Sequence, residues 1–168
     1  MKTALITGVS GQGGAYLSEI LLEKGYRVIG TTRNLKLFDN SRLVRLGVAD
    51  QVDIKPVDFS EVSYIEDLIE DVQPEEFYHL ASPSSVMRSF NEPLESNRDI
   101  YMSTLNVLEA IRRTDRNIRL FNASSGEMFG TRVEPVREES VFCDNDDMSR
   151  NRDDMRDSSE RGCPCESL

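Results

Sequence analysis

The chain has 168 residues, a formal net charge of −10 and a hydrophobic content of 38%, enough length for one domain with a real core. An acidic balance argues against nucleic-acid binding, which needs a basic surface to meet phosphates. No apolar stretch reaches the roughly 20 residues that span a bilayer, and the sequence enters a strand pattern at once with no leader, so a cytoplasmic protein without membrane attachment is expected.

Residues 2–25 are an apolar run, a glycine-rich turn and a helix-period pattern closed by Gly25, which reads as strand, turn, helix. A phosphate-binding turn needs glycine where φ is positive, where backbone approaches a pyrophosphate, and where the helix packs tightly on its strand. Gly8, Gly11 and Gly14 suit these three places. With Ser10, Gln12 and Gly13 they form a candidate dinucleotide site, the helix N-terminus supplying free N–H groups and a positive dipole end. Glycine-rich turns also serve as plain connections. Here a second strand, Arg27–Thr32, follows at the distance a βαβ unit requires, and that context favours the cofactor. The helix is expected to bury Tyr16, Leu17, Ile20 and Leu21.

At the end of the second strand an NAD-selective site carries an acid for the ribose 2′-hydroxyl, whereas a 2′-phosphate needs a cation. This chain has Thr32-Arg33-Asn34. Arg33 is therefore the candidate for a 2′-phosphate and Arg42 a second one, so NADP is the expected cofactor with NAD as the alternative; the competing reading of Arg33 is a solvated surface arginine. The loop at residues 34–40 leaves Leu35, Leu37 and Phe38 exposed unless something covers them.

A third strand, Val52–Val57, leads through Asp58 and Phe59 to a helix starting near Ser60, the better cap. Val62, Ile65, Leu68, Ile69 and Val72 share one face of it and Pro74 closes it. A fourth strand, Phe77–Ala81, precedes a Ser/Pro loop, and a long helix from about Asn97 to Arg113 places Ile100, Thr104, Val107, Leu108 and Ile111 at helical spacing. The single histidine, His79, lies within the fourth strand and reads as structural, since no nucleophile or metal ligand stands at a recognisable spacing from it. A fifth strand, Ile118–Ala123, ends in Ser124-Ser125-Gly126-Glu127. Ser125 offers a hydroxyl to a reacting oxygen and Glu127 a carboxylate base. The fold expected is α/β: an incomplete Rossmann-type, doubly wound parallel sheet of about five strands with helices on both faces.

Several segments together resemble the extended short-chain dehydrogenase/reductases, and among them the GDP-mannose 4,6-dehydratases. They are Ile6-Thr-Gly-Val-Ser-Gly-Gln-Gly-Gly-Ala-Tyr-Leu17, Val57-Asp-Phe59, Tyr78-His-Leu-Ala-Ser-Pro-Ser-Ser-Val86 with Ser89-Phe90, Thr104-Leu-Asn-Val-Leu-Glu-Ala110, and Asn122-Ala-Ser-Ser-Gly-Glu-Met-Phe-Gly130. The resemblance covers about residues 1–142. It implies that Asp58 and Phe59 meet the adenine, that Leu80, Ala81 and Ser82 run beneath a cofactor ribose, and that Ser84 and Ser85 meet a nucleotide sugar. It also implies that a tyrosine takes the proton of the sugar 4-hydroxyl, that Ser125 stands at the family's Ser/Thr position, and that Glu127 removes the C5 proton as the 6-hydroxyl leaves. Glu127 favours a dehydratase over an epimerase or reductase, which are the alternatives within the class. Relatives often associate through the loop at residues 34–40, so a homo-oligomer is open.

Two departures stand out. The family often has a second basic residue where Asn34 stands here. It also requires Tyr-x-x-x-Lys on the next helix, and this sequence has no tyrosine after Tyr101 and no lysine after Lys55. Residues 143–168 instead hold eight acids, four arginines and all three cysteines, Cys143, Cys163 and Cys165. Such a segment cannot offset its ordering entropy by burial, so a disordered tail is expected after a domain at 1–142. Its cysteines fit no common metal spacing. Two classes remain open: a sugar-nucleotide dehydratase not competent as this chain, and a non-catalytic dinucleotide-binding module.

Overall fold

The computed structural model describes residues 1–81, 91–114, 117–124, 129 and 135–140. The chain divides into two compact units, Met1–Ala123 and Ser124–Leu168. The first contains β1 (Thr3–Thr7), α1 (Gln12–Glu23), β2 (Arg27–Thr32), α2 (Ser41–Arg45), β3 (Val52–Pro56), α3 (Val62–Val72), β4 (Glu76–His79), α4 (Pro93–Arg113) and β5 (Arg119–Asn122). In the second, the Arg137 N–H donates to Ser140 Oγ (2.9 Å) and the Ser140 N–H to the Arg137 carbonyl (3.0 Å), closing a local turn. The tail expected at 143–168 lies outside the described residues.

All five strands are parallel, in the order β3-β2-β1-β4-β5. This is the doubly wound arrangement that alternating strands and helices predict. Side chains alternate across each strand, so β1 sends Leu5 into one core, with Phe77, Ile65, Ile69, Val107 and Ala110, and sends Ala4 and Ile6 into the other, with Ala15, Leu21, Val28 and Leu43. On α3, Ile65, Leu68, Ile69 and Val72 are buried as their spacing requires. Glu61 rather than Ser60 holds the position before that helix, without a side-chain capping bond, and the helix ends at Gln73, whose left-handed φ of 51° precedes Pro74.

Two helices turn differently from their hydrophobic pattern. On α1 the buried residues are Gly14, Ala15, Ser18 and Leu21, with Leu17 at the margin, while Tyr16 and Ile20 are about half exposed. The cause is a backbone contact. A Cβ on Gly14 would collide with the Gly8 carbonyl oxygen and lie 2.7 Å from Val9 Cα, so the helix sits against the end of β1 through its smallest residues, and Ser18 donates inward to the Gly14 carbonyl (2.8 Å). On α4 the buried stripe is Ser96, Ser103, Asn106, Val107 and Ala110; Ile100 and Leu108 face outward with Leu94, Tyr101 and Leu105. Asn106 sets this rotation by donating to the carbonyls of Phe59 and Ser60, each at 2.9 Å. The helix also starts at Pro93 rather than Asn97, since proline at the first position gives up an N–H that has no partner there. In the loop after β2, Leu35 and Leu37 are exposed as expected, whereas Phe38 packs against the second core.

The N-terminal end of the sheet is held by two glutamates. Glu75 accepts the Thr3 N–H (2.6 Å). The largely buried Glu76 carboxylate accepts from Tyr78 (2.8 Å), Tyr26 (3.1 Å) and Lys2 (3.4 Å). These bonds, Tyr78 first, hold its pKa below the ordinary glutamate range, and burial with the same carboxylate pushes the Tyr78 phenol up to about 12.

A lowered carboxylate pKa contributes stability that is complete above the unfolded value and is lost as pH falls through the folded one. Glu76→Gln is therefore expected to cost about 1–2 kcal/mol near neutral pH, with a smaller gap from the parent once pH drops below about 4. Urea midpoints of both proteins across that range check this; a gap independent of pH contradicts it. Gly14→Ala is expected to cost about 1–3 kcal/mol, the usual penalty of overpacking, whereas Gly13→Ala, whose Cβ would meet nothing within 4 Å, is expected to stay close to the parent in thermal midpoint.

Candidate cofactor-binding site

Strand order reverses between β1 and β4: the chain runs outward from β1 to β3, then crosses to β4 on the other side. In open α/β sheets a crevice forms outside the carboxyl ends of the strands at this place. Its floor is the turn from Thr7 to Gly11. Gly8 has φ +71°, and a Cβ there would lie 3.0 Å from the Ala81 nitrogen and from the Leu80 carbonyl. The Gly11 N–H donates back to the Gly8 carbonyl (2.9 Å) and closes the turn. No side chain caps α1 and no acid stands in its first turn. Its first N–H groups and its positive end therefore open toward the crevice with no acid of the helix's own first turn against them, beside the exposed Gly11, Gln12 and Gly13.

Thr7 ties this turn to the end of β4. Its Oγ1 accepts the N–H groups of Leu80 (3.0 Å) and Ala81 (2.9 Å), and lies 3.0 Å from His79 Nδ1. A hydroxyl has two lone pairs and one proton. With both lone pairs taken, the proton goes to Nδ1, which assigns His79 the tautomer protonated at Nε2. Burial lowers its pKa, and protonating Nδ1 would set donor against donor, so His79 is a neutral positioning group, as its place in the strand predicts. The same bonds explain why β4 ends at His79 rather than Ala81: the next two N–H groups turn to Thr7 instead of continuing the ladder.

A cleft of about 170 Å³ extends from this floor, lined by Gly8, Ser10, Thr32, Arg33, Phe59 and Ala81 among others. Ligand pockets usually measure about 300–1,000 Å³, so this cleft is smaller than a typical ligand site and continues onto the open turn beside it. Phe59 is buried, with its ring 5.8 Å from that of His79. Asp58 is exposed and accepts the Ser60 N–H (2.9 Å). Arg33 stands at the cleft with its side chain mostly exposed and its guanidinium 3.5 Å from Asp99 on α4. Arg42 reaches back from α2 to donate to the Ser10 carbonyl (2.9 Å), so both arginines singled out in the sequence belong to one region. Asn34 is occupied locally, accepting the Lys36 N–H (2.9 Å).

The structure thus brings together Gly8, Ser10, Arg33, Phe59 and Ala81 around the cleft, with Gly11 to Gly14 at its edge and Leu80 behind it. Ser82, Ser84, Ser85, Ser125 and Glu127 lie outside the described residues. Four contributors had no role in the sequence analysis: Thr7, Thr31, Ser103 and Asp99. A threonine fully buried at the end of an apolar strand is a readable signal for Thr7; Ser103 and Asp99 come from a helix distant in sequence and carried none. Among the described residues no cluster of three or more His, Cys, Asp or Glu side chains is placed to hold a metal, and no helix is long and apolar enough to cross a membrane.

A family model described as GDP-mannose 4,6 dehydratase matches residues 5–145. The GDP-mannose 4,6-dehydratase of Yersinia enterocolitica serotype O:8 / biotype 1B is 39% identical over 152 residues, which are 84% of this chain and 40% of that protein. GDP-mannose 4,6 dehydratase 1 of Arabidopsis thaliana is 36% identical over 151 residues, 84% of this chain and 42% of that one. Of solved structures, UDP-glucose-4-epimerase from Stenotrophomonas maltophila, with bound NAD and formylated UDP-arabinopyranose, has a TM-score of 0.74 at 22% identity, covering 85% of this chain and 43% of its own. UDP-glucose 4-epimerase from Bifidobacterium longum, in complex with NAD+ and UDP, has a TM-score of 0.73 at 24% identity, covering 84% and 43%. These likenesses establish the fold, a Rossmann-type sheet. The chain spans about two fifths of the length of the curated relatives it matches. Since the family match begins within β1, takes in the whole glycine-rich turn and continues past β5, the likeness rests on the sequence that builds the sheet and its crevice, and the chain belongs to the GDP-mannose 4,6-dehydratase family.

Proposed function

We propose that this sequence is the NADP-binding part of a nucleotide-sugar 4,6-dehydratase acting on GDP-mannose, in a cytoplasmic setting. The observation that carries the reading is the cradle at Gly8: a positive-φ glycine packed against Gly14 and Leu80–Ala81, below an uncapped helix N-terminus. A side chain at either glycine would collide with neighbouring backbone and push the turn or the helix away from the strand ends that position it, and with it the helix N-terminus that would face a pyrophosphate. In this reading Gly8, Ser10, Gly11, Gln12, Gly13 and Gly14 hold the pyrophosphate and Arg33 the 2′-phosphate. Asp58 and Phe59 border the adenine, and Leu80, Ala81 and Ser82 run beneath a ribose. Ser84 and Ser85 meet the nucleotide sugar, Ser125 bonds the sugar's reacting oxygen and Glu127 takes the C5 proton. NADP, when bound, supplies the capacity to accept and return a hydride. The exposed Leu94, Tyr101, Leu105 and Leu108 on α4 are compatible with association of copies of the chain.

A second reading is favoured by one feature of the sequence: with no tyrosine after Tyr101 and no lysine after Lys55, nothing can take the 4-hydroxyl proton in the family's manner. A domain at 1–142 followed by the acidic stretch 143–168 would then bind a dinucleotide without turning over a sugar.

Two outcomes are expected of the purified 168-residue chain. It binds NADPH more tightly than NADH by about tenfold or more, the worth of a charged hydrogen-bonded contact, and Arg33→Ala removes most of that difference; equal affinities of the parent in a fluorescence titration would sink the assignment of Arg33. With NADP and GDP-mannose it forms no detectable 4-keto-6-deoxy sugar, because general acid–base catalysis alone is worth roughly 10²–10⁴-fold and the group that would begin the reaction is absent from the sequence. Product above the level of a Glu127→Gln control, followed by chromatography, would show that another residue replaces the tyrosine and would remove the basis for the second reading.

A further inference from the structure

The ion pair between Arg33 and Asp99 has a consequence for cofactor choice. Arg33 follows β2 and Asp99 lies in the second turn of α4, so the pair bridges two elements that meet at the cleft. The contact is a single one, Arg33 Nη2 to Asp99 Oδ2 at 3.5 Å, with the Asp99 side chain about one quarter exposed and the Arg33 side chain nearly two thirds exposed. One helical turn further on, Ser103 lines the same cleft and donates its hydroxyl to the Asp99 carbonyl, so the face of α4 carrying Asp99 is the face turned to the site. A guanidinium has five N–H donors and one such contact leaves most of them available. Its charge, however, is partly answered by a carboxylate before any ligand arrives.

We propose that Asp99 is a specificity-determining residue that restrains the preference for a 2′-phosphate by competing for Arg33. The inference rests on the reading of Arg33 as the 2′-phosphate's partner. A ligand ending in a 2′-hydroxyl is uncharged there and leaves the pair intact, and the carboxylate offers that hydroxyl an acceptor, the role an acid at the end of β2 fulfils in NAD-selective sites. A ligand carrying a 2′-phosphate must share Arg33 with the carboxylate or push it aside, and in either case brings a second anion against the first. The acid that sequence reasoning looks for next to Arg33 is thus supplied from a helix some 66 positions further along the chain, by the difference between the two residue numbers.

The test is a double-mutant cycle on the full chain, with NADPH and NADH binding measured by fluorescence titration at fixed ionic strength. Asp99→Asn keeps the shape and removes the charge; Asp99→Ser repeats the test with a different side chain. Asp71→Asn is the control, since Asp71 pairs with Lys55 (2.7 Å), which is not among the cleft-lining residues. Both Asp99 variants are expected to tighten NADPH roughly three- to tenfold, the size of one screened like-charge contact, to leave NADH level or weaken it by up to about fivefold as the hydroxyl's charged acceptor is lost, and to lose part of the NADPH gain when combined with Arg33→Ala. Asp71→Asn is expected to leave the NADPH:NADH ratio unchanged. If Asp99→Asn and Asp99→Ser leave the ratio at the parent value while Arg33→Ala abolishes the preference, the proposal is overturned and the role of Arg33 stands. If Arg33→Ala leaves the preference untouched, or the parent binds neither dinucleotide, the reading of Arg33 falls and the proposal with it.

Discussion

Gly8 is squeezed between two backbones. On one side Gly14 brings the first turn of α1 against the Gly8 carbonyl; on the other, Leu80 and Ala81 pass at a distance that a Cβ would already crowd. The first contact decides how α1 rotates and hence which residues it buries. The second brings the end of β4 beside the end of β1, where strand order reverses. A positive φ at Gly8 turns the chain away from β1 so that the helix N-terminus faces the crevice. Both contacts are between main-chain atoms, which no rotamer change can relieve, so the cradle is rigid for a reason that differs from ordinary core packing.

The polar chemistry of the region is arranged around this constraint. Thr7 satisfies the two N–H groups that the β4 ladder leaves behind and spends its proton on His79. A buried hydrogen-bond network holds its members in one arrangement, and this one lies directly beneath the cleft. The charges lie at the rim, where water still screens them: Arg42 on the Ser10 carbonyl and Arg33 against Asp99. An acidic chain can therefore present local positive charge to a phosphate, because net charge and the field at one turn are separate quantities. The opposite end of the sheet has another task. There Glu75 and Glu76 tie β1, β2 and β4 through Thr3, Tyr26 and Lys2, far along the strands from the crevice.

The alternation of strands and helices, the glycine spacing and the lack of an acid after β2 were legible in the residues themselves, since each depends on neighbours within one turn or one strand. All five strands lie within a residue or two of where hydrophobic period and turn signals put them, and the buried face of α3 is the one its spacing marks. Where sequence reasoning went astray, it counted apolar residues as if they alone chose a helix's rotation. Gly14, Ala15 and Ser18 on α1, and Ser103 and Asn106 on α4, took the inward positions because backbone proximity and two hydrogen bonds to the carbonyls of Phe59 and Ser60 outweighed the burial of Ile20, Ile100 or Leu108.

The sequence by itself determined the class of fold, the glycine-rich turn after the first strand and the family, because local period, glycine conformational freedom and motif spacing are properties of short segments. Only the tertiary structure decided the strand order that opens the crevice, the union of Thr7 with the turn after β4, the reach of Arg42 to Ser10, and the pairing of Arg33 with Asp99. Each of these joins groups from distant parts of the chain, and their distance in space follows from how the sheet is wound and how closely two backbones approach, which no local pattern encodes.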